Sequence, residues 1–364
     1  MSSRRTLYFW QNALSPHQAP LIRTLAMREG ITVHLVAEEE LSAGRAEMGW
    51  RRPDYGKAAV TVSRSLLTWL RIWRSSGPDD LHFFSGAGVY PLVSWMTRLS
   101  SLSSRRSLVL SEAWDPRDDT GLRRVVRRAR LYSVVPNRVE RFLVTGRLAE
   151  RQLIDAHVPS GRISQWAYFP ETGPANSMPR NVDVLYVGSL SPRKDVKTLL
   201  AALSLLPNVK LAVIGDGPSR EILTSQACAS PGLADRCHFL GPVENSAVPD
   251  HLGRARVLAL PSLHDGWGAV VSEALLSGCR VAVSQEAGSS ILAEGNLPVR
   301  TFPAKDPAAC AEAIQSLLSD SSWDEASIAS VAAQTISPAA GAEYLMALID
   351  SPTTPCPWLP RPAA

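Results

Sequence analysis

The sequence predicts an α/β protein made of two doubly wound domains in tandem. Three observations carry that reading. Short apolar runs alternate with segments of helical period along most of the chain, the pattern of βα units on a parallel sheet covered on both faces. The alternation is interrupted once, by the Pro- and Gly-rich stretch Phe169–Arg180, and then restarts. The length, 364 residues at 45% hydrophobic and 20% charged content, suits two domains with sizeable cores.

In the first half, Leu7–Trp10 reads as an apolar strand. Pro16–Glu29 places Leu21, Ile22, Leu25 and Ala26 on one helical face, and Gly30 ends it as a C-cap. Thr32–Val36, Leu81–Ser85, Ser107–Leu110 and Phe142–Thr145 follow as strands, with helices expected over Ser63–Trp73, Tyr90–Leu99 and Leu148–Ala156. After the linker, strands are expected at Val182–Val187, Val209–Ile214, His238–Leu240, Val257–Leu260 and Arg280–Val283. Helices are expected at Val196–Leu206, Ser219–Ala229, Ala269–Ser277, Pro307–Leu318 and Ala339–Ile349. The domain limits are then 1–170 and 181–337, joined by 171–180, with a helix over 338–350 packing back toward the first domain. The tail 351–364 holds five prolines and reads as disordered. In open parallel sheets ligands lie at the carboxyl ends of the strands, so two facing sheets would share a central cleft.

Composition narrows the class. No run of about 18 apolar residues marks a transmembrane helix, and Met1–Asn12 lacks the apolar stretch and cleavage site of a secretory signal. Five cysteines without a Cys-x-x-Cys pair fit a reducing, cytoplasmic setting with neither a disulfide framework nor a structural zinc, and no cofactor is expected. Residues 1–174 carry a net charge of +9 and residues 175–364 one of −5, which suggests domains with different partners.

The chemistry concentrates in Leu260–Glu273, LPSLHDGWGAVVSE. It follows an apolar strand and leads into a helix. Asp265 lies in the loop and Glu273 about one turn inside the helix, while Gly266 and Gly268 let backbone N–H groups approach a ligand closely. The free N–H groups at the helix start favour an anion. One carboxylate for sugar hydroxyls, another for ribose hydroxyls and a helix start for a diphosphate would suit a nucleotide sugar.

Asp265 to Glu273 resembles the Glu-x7-Glu motif of the family-4 glycosyltransferases, with Asp in the first place. Val187–Asp195, VGSLSPRKD, is similar to the family's Val-Gly-Arg-Leu-x-x-x-Lys-Gly segment; Val213–Pro218, VIGDGP, to its strand-to-helix turn; and Phe239–Val243, FLGPV, to its segment beside the base pocket. Resemblance in the first half rests on the βα rhythm and on Val144–Pro170. The resemblance implies the GT-B arrangement of two Rossmann-like domains, a nucleotide-sugar donor in the second, a glycan or lipid-linked acceptor in the first, retention of anomeric configuration and no required metal. It implies that Lys194 neutralises the donor diphosphate, Glu273 holds the ribose and Asp265 the sugar ring, with these three as the catalytic set. Gly266, Trp267 and Gly268 would present backbone donors, and Gly188, Ser189, Arg193, Gly215, Gly217, Val243 and His264 would complete the donor site. Three positions depart from the family: Ser189 stands where it has Arg, Asp265 where it has Glu, and Asn12–Ser15 where it has a Gly-Gly loop. Arg193 is the nearest substitute for the missing cation.

On the acceptor side, His17 follows the first strand, and Glu112 and Asp115 follow the strand Ser107–Leu110, where each could meet an acceptor hydroxyl. Helix starting, capping and loop solvation are the competing explanations for these three. His82 reads as a core residue and His238 and His251 carry no signal. Some of the first-half tryptophans, Trp10, Trp50, Trp69, Trp73, Trp95, Trp114 and Trp166, could line an acceptor groove, though core packing is the default for most. Gly121–Arg141 carries Arg123, Arg124, Arg127, Arg128, Arg130, Arg138 and Arg141 with one acid, Glu140. A basic amphipathic helix there suits the anionic inner face of a plasma membrane better than nucleic acid, for which no motif is present; a solvated helical face is the alternative. The leading expectation is a retaining glycosyltransferase of polysaccharide or cell-envelope assembly. A GT-B-type epimerase or phosphorylase, or a non-catalytic glycan-binding or scaffolding homologue, is the alternative.

Overall fold

The computed structural model describes residues 5–41, 51–115, 117, 126, 139–171 and 179–360. They fall into two compact units, Met1–Phe169 with Gly341–Thr354, and Pro170–Ala340 with Pro355–Ala364.

The first unit runs β1 (Arg5–Ala13), α1 (Ala19–Ala26), β2 (Ile31–Glu39), β3 (Ala59–Val62), α2 (Leu66–Ser75), β4 (Leu81–Ser85), α3 (Pro91–Ser101), β5 (Arg106–Glu112), β6 (Val139–Thr145), α4 (Gly146–Asp155) and β7 (Ile163–Gln165). Its strands form one sheet in the order β3-β2-β1-β4-β5-β6-β7, with every pairing parallel. Leu7 to Trp10 are all buried, as a central parallel strand covered on both faces requires. Tyr8 stacks between His34 and His82 at 4.8 and 5.0 Å, over a core that also holds Trp10, Phe84, Met96 and Phe142. Pro near its start and a buried face of Leu21, Ile22, Leu25 and Ala26 define α1. The Ser65 side chain accepts from the Thr68 N–H and caps α2.

The second unit runs β8 (Val182–Val187), α5 (Val196–Ser204), β9 (Leu211–Ile214), α6 (Arg220–Ala229), β10 (Cys237–Gly241), α7 (Val248–Gly253), β11 (Ala255–Leu260), α8 (Ala269–Leu276), β12 (Arg280–Ser284), β13 (Val299–Phe302), α9 (Pro307–Ser319) and α10 (Glu325–Ile336), followed by α11 (Pro338–Asp350). Its sheet order is β10-β9-β8-β11-β12-β13, again with parallel pairing throughout. From Gly341 onward α11 belongs to the first unit. There the Tyr344 hydroxyl donates to the Gln165 carbonyl at 3.2 Å and Glu343 pairs with Arg28 at 2.7 Å. Gly341 lies under the Phe169 ring, whose atoms would stand 2.5 Å from a Cβ, so a side chain there would hold the helix off.

Several elements escape the sequence pattern. β3, β7 and β13 are edge strands of three or four residues, too short to show a period. In α10 only Ile328, Ala332 and Ile336 are buried, and the small residues between them carry no apolar contrast. Two expectations are corrected. The tail is ordered through residue 360: Trp358 is only 2% exposed, and its carbonyl would lie 2.0 Å from a Cβ on Gly295. One large ring provides an anchor that a proline count overlooks; residues 361–364 lie outside the described ones. Arg141 does not belong to a basic helical face. β6 begins at Val139 and buries Arg141, whose Nη1 donates to Ser164 Oγ at 2.7 Å. The other six arginines of that segment, and linker residues 172–178, lie outside the described residues. Among the described residues no helix is long and apolar enough to cross a membrane.

Candidate functional site

Both sheets reverse their winding direction next to their first strand. In the second unit, β9 and β10 are laid down on one side of β8 and β11 to β13 on the other. The loops leaving β8 and β11 therefore diverge at the carboxyl edge, the topological switch point where open α/β sheets bind ligands.

The β8 loop passes through Gly188 and Ser189 into a 3-10 turn, Pro192–Lys194, and then Asp195 in the left-handed region at φ 47°, which opens α5. The β11 loop carries His264, Asp265, Gly266 and Trp267 to Gly268, whose φ of 85° starts α8. The two loops are stitched together. Leu263 N donates to the Arg193 carbonyl at 2.8 Å, and Arg193 Nη1 donates to the buried His264's carbonyl at 2.6 Å. Lys194 Nζ is ion-paired with Asp265 Oδ2, with only 14% and 13% of the two side chains exposed. At that burial an ion pair holds its geometry far better than a surface pair would.

Asp265 is fixed by its backbone, donating from N to the Glu286 carbonyl at 3.1 Å and accepting from Gly288 N at 3.0 Å. A Cβ on Gly268 would lie 3.8 Å from Asp265 Cγ, so the carboxylate sits beside the start of α8. No side chain caps that helix, and its first N–H groups present partial positive charge. The Trp267 ring is turned into the core, where Nε1 donates to Ser272 Oγ at 3.0 Å. The residue therefore offers a ligand only its backbone.

Glu273 lies one turn into α8. Its carboxylate, half-buried, has no hydrogen bond or ion pair among the described residues, and burial alone pushes its pKa up to about 7. Tyr186, wholly buried under the same loops, donates to the Ser189 carbonyl at 2.9 Å. Burial, reinforced by the Asp265 carboxylate, pushes its phenol far up.

Gly215 and Gly217 pack closely against the β8 loop. A Cβ on Gly215 would stand 1.9 Å from the Gly188 carbonyl oxygen, and one on Gly217 would stand 2.6 Å from that of Leu190. Backbone bonds from Leu190 N to the Asp216 carbonyl and from Ser219 N to the Leu190 carbonyl, both 2.8 Å, lock these turns together. Both glycines thus hold the β8 loop in place through close backbone packing. Val243 follows β10 at the sheet edge, separated from β8 by β9. Sequence reasoning passed over Ser262 and Ser289, two fully buried hydroxyls of this region without a hydrogen-bond partner. No motif marks a serine of that kind.

In the first unit, β2 and β3 lie on one side of β1 and β4 to β7 on the other. A cavity of about 440 Å³ opens at that switch point, lined by the ends of β1, β4 and β5 and by Tyr168. Glu112 is part of its wall and accepts from the Tyr168 hydroxyl. His17 lies outside the cavity with its ring 5.7 Å from that of Tyr168. Asp115 also lies outside it, paired with Arg117 at 2.5 Å. His82 is a core residue: Trp10 Nε1 donates to its Nδ1 at 3.1 Å, and burial, then Arg105, drives its pKa down to about 3. The cavity residues that sequence reasoning missed include Gln11, Gln18, Ser85 and Tyr90, all uncharged. Among the described residues no three His, Cys, Asp or Glu side chains gather as a metal site.

This is the GT-B class of α/β protein, and comparison with solved structures says the same. The Anabaena protein HepE, solved in complex with UDP, matches at a TM-score of 0.71 and 16% identity over 95% of this chain and 100% of that one. Residues 181–320 match the family model described as glycosyl transferases group 1. Among curated proteins, the 2-deoxystreptamine N-acetyl-D-glucosaminyltransferase of Streptomyces fradiae is 34% identical over 31% of this chain and 27% of its own length. The phosphatidyl-myo-inositol mannosyltransferase of Mycobacterium leprae is 33% identical over 37% of each chain. This chain thus spans well under two thirds of the length of the curated relatives it matches.

Proposed function

We propose that this protein is a glycosyltransferase that takes a sugar from a nucleotide-sugar donor held by the second unit and passes it, with retention of configuration, to an acceptor bound in the first. The observation that carries the proposal is the trio at the second switch point: the Lys194–Asp265 pair, the uncapped start of α8 beside it, and the Glu273 carboxylate one turn further in. Its chemistry matches a sugar nucleoside diphosphate part by part. Glu273 accepts from the two ribose hydroxyls, and Asp265 accepts from the sugar ring. Lys194 and the helix start meet the diphosphate, which gains negative charge as it departs. Lys194 has the Asp265 carboxylate beside it before donor arrives, so its ammonium is held in place and need not be ordered during the reaction. The acceptor hydroxyl attacks the anomeric carbon from the face that the diphosphate leaves.

The matching relatives include transferases whose names state aminocyclitol and phosphoinositide acceptors, and HepE was solved with UDP. UDP-sugars are therefore the first donors to test, and a glycan or lipid-linked glycan of cell-envelope assembly is the acceptor class in view. Calorimetry with a panel of nucleotide sugars, followed by transfer assays with the best of them, tests the proposal. The expected result is micromolar to millimolar binding of one donor, greatly reduced transfer for Glu273→Ala, and an unchanged fold by circular dichroism. Binding of no donor would point instead to a non-catalytic homologue.

A further inference from the structure

Resting on the assignment of the first unit to the acceptor, we infer that its cavity selects a phosphate-free polyhydroxylated ring, neutral or amine-bearing, and that Gln11 is a specificity-determining residue for it. Three observations lead there. First, the described residues of the wall include one carboxylate, Glu112, and no lysine, arginine or histidine. An anionic group placed there would lose its water and, among the described residues of the wall, meet only a like charge. Second, the wall is dense in uncharged hydrogen-bonding groups from Asn12, Ser15, Gln18, Ser85 and Ser111, and is rimmed by aromatic rings. Trp114 is held by a two-way bond with Gln152, whose side chain accepts from Trp114 N at 3.0 Å and donates to the Trp114 carbonyl at 2.8 Å. Tyr90 is set by Gly86, whose φ is 89° and whose Cβ, if present, would lie 2.5 Å from the Tyr90 ring. Such rings suit the C–H face of a sugar or the ammonium of an amino sugar.

Third, one buried acceptor in this wall lacks a donor. Gln11 is 1% exposed and its Oε1 has no hydrogen-bond partner. The other end of the amide is committed: Nε2 donates to Gln18 Oε1 at 2.8 Å, and Gln18 Nε2 donates to Ser85 Oγ at 3.3 Å. The chain Gln11–Gln18–Ser85 therefore ties the amide into the wall. A buried carbonyl oxygen left unpaired is costly, so the group that completes it must bring a hydrogen: a hydroxyl or an amine, not a phosphate oxygen. A lipid-linked glycan can offer such a ring only with its phosphate outside this cavity.

Matched trios test the inference on the full chain by NMR titration: glucose, galactose, mannose and myo-inositol, each as the parent, the amine and the monophosphate. In the trio that binds tightest, the parent or amine should bind at least roughly tenfold tighter than the monophosphate. Gln11→Leu, which keeps the volume and removes the amide, should weaken parent and amine several-fold at an unchanged melting temperature. Ser111→Arg, which brings a cation to the wall, should shift the ranking toward the monophosphate; if Gln11→Leu does not fold, this variant decides alone. A monophosphate that binds wild type as tightly as its parent overturns the inference. So does a ranking that Ser111→Arg leaves unmoved, or the absence of any binding that depends on either residue. The donor reading fails separately. A chain that ranks the trios as expected but binds no nucleotide sugar sinks the transferase assignment and leaves this one standing.

Discussion

The two units place a loop pair at the same point of the same topology and furnish it in opposite ways. Beside β1, the switch point opens a cavity walled by amides, hydroxyls and aromatic rings, with one carboxylate. Beside β8, it holds a largely buried ammonium–carboxylate pair, an uncapped helix start and a second carboxylate. Parallel sheet winding explains why a site forms at each place. It says nothing of what binds there, which the loop side chains decide. The contrast suits one reaction with two substrates, since a diphosphate needs fixed charge and a polyol needs hydrogen bonds.

Two substitutions break the second site outright. Gly215→Ala drives a Cβ into the Gly188 carbonyl at 1.9 Å, in a backbone region that L-residues avoid. The two turns must separate, and urea denaturation should show a loss of about 4 kcal/mol or no folded protein at all. The β4 loop of the first unit is looser: a Cβ on Gly86 would meet the Tyr90 side chain rather than backbone, and one on Gly88 meets nothing within 4 Å. Lys194→Ala removes the cation proposed to face the leaving group. The maximal transfer rate should fall by roughly 100- to 1000-fold, about 3 kcal/mol of activation free energy, with a smaller effect on donor affinity. A loss confined to donor affinity would mean that Lys194 binds the ground state and transition state alike.

The same contrast explains what could be read in advance. The central strands are plain in sequence because Leu7–Trp10 and Val184–Tyr186 are continuous apolar runs buried in parallel sheets. Asp265, Glu273 and Lys194 stand out because charged residues beside glycines, between a strand and a helix, leave a spaced pattern along the chain. The first cavity leaves none. Its wall is gathered from the ends of three strands and from Tyr168, and each contributes uncharged residues that look like ordinary loop polarity. Gln11 becomes informative only when its burial and its missing donor are known. Even the partners that orient it, Gln18 and Ser85, are 67 residues apart in the chain.

Glu273 sharpens the comparison through pH. Its pKa in the folded protein is raised to about 7, above the ordinary 4.5 of the unfolded chain. Between those values the native state holds a proton that the unfolded state has released. Stability therefore declines as pH rises from 4.5 to 7 and levels off above the folded pKa. On the proposed donor pose binding runs the other way, because ribose hydroxyls would donate to the ionised carboxylate. UDP-glucose, whose diphosphate does not titrate in this range, should bind up to about tenfold tighter at pH 8 than at pH 6. Glu273→Gln should flatten both profiles. A profile that survives the substitution would assign the titration to another group.

Glu112→Gln carries the smallest expected change and tests the one charge in the first cavity. The amide oxygen can still accept from the Tyr168 hydroxyl, so the wall keeps its shape while its carboxylate is lost. Because Glu112 is exposed, solvent screens it, and an amine-bearing ring should lose only about 1 kcal/mol of binding, roughly fivefold. The matched neutral ring should lose less, since it forms a hydrogen bond to either side chain. The ratio of the two affinities, measured by NMR titration in wild type and variant, isolates the charge from the shape. Equal losses would mean that Glu112 serves the wall only as the partner of Tyr168, and the preference against phosphate would then rest on the want of a cation among the described wall residues.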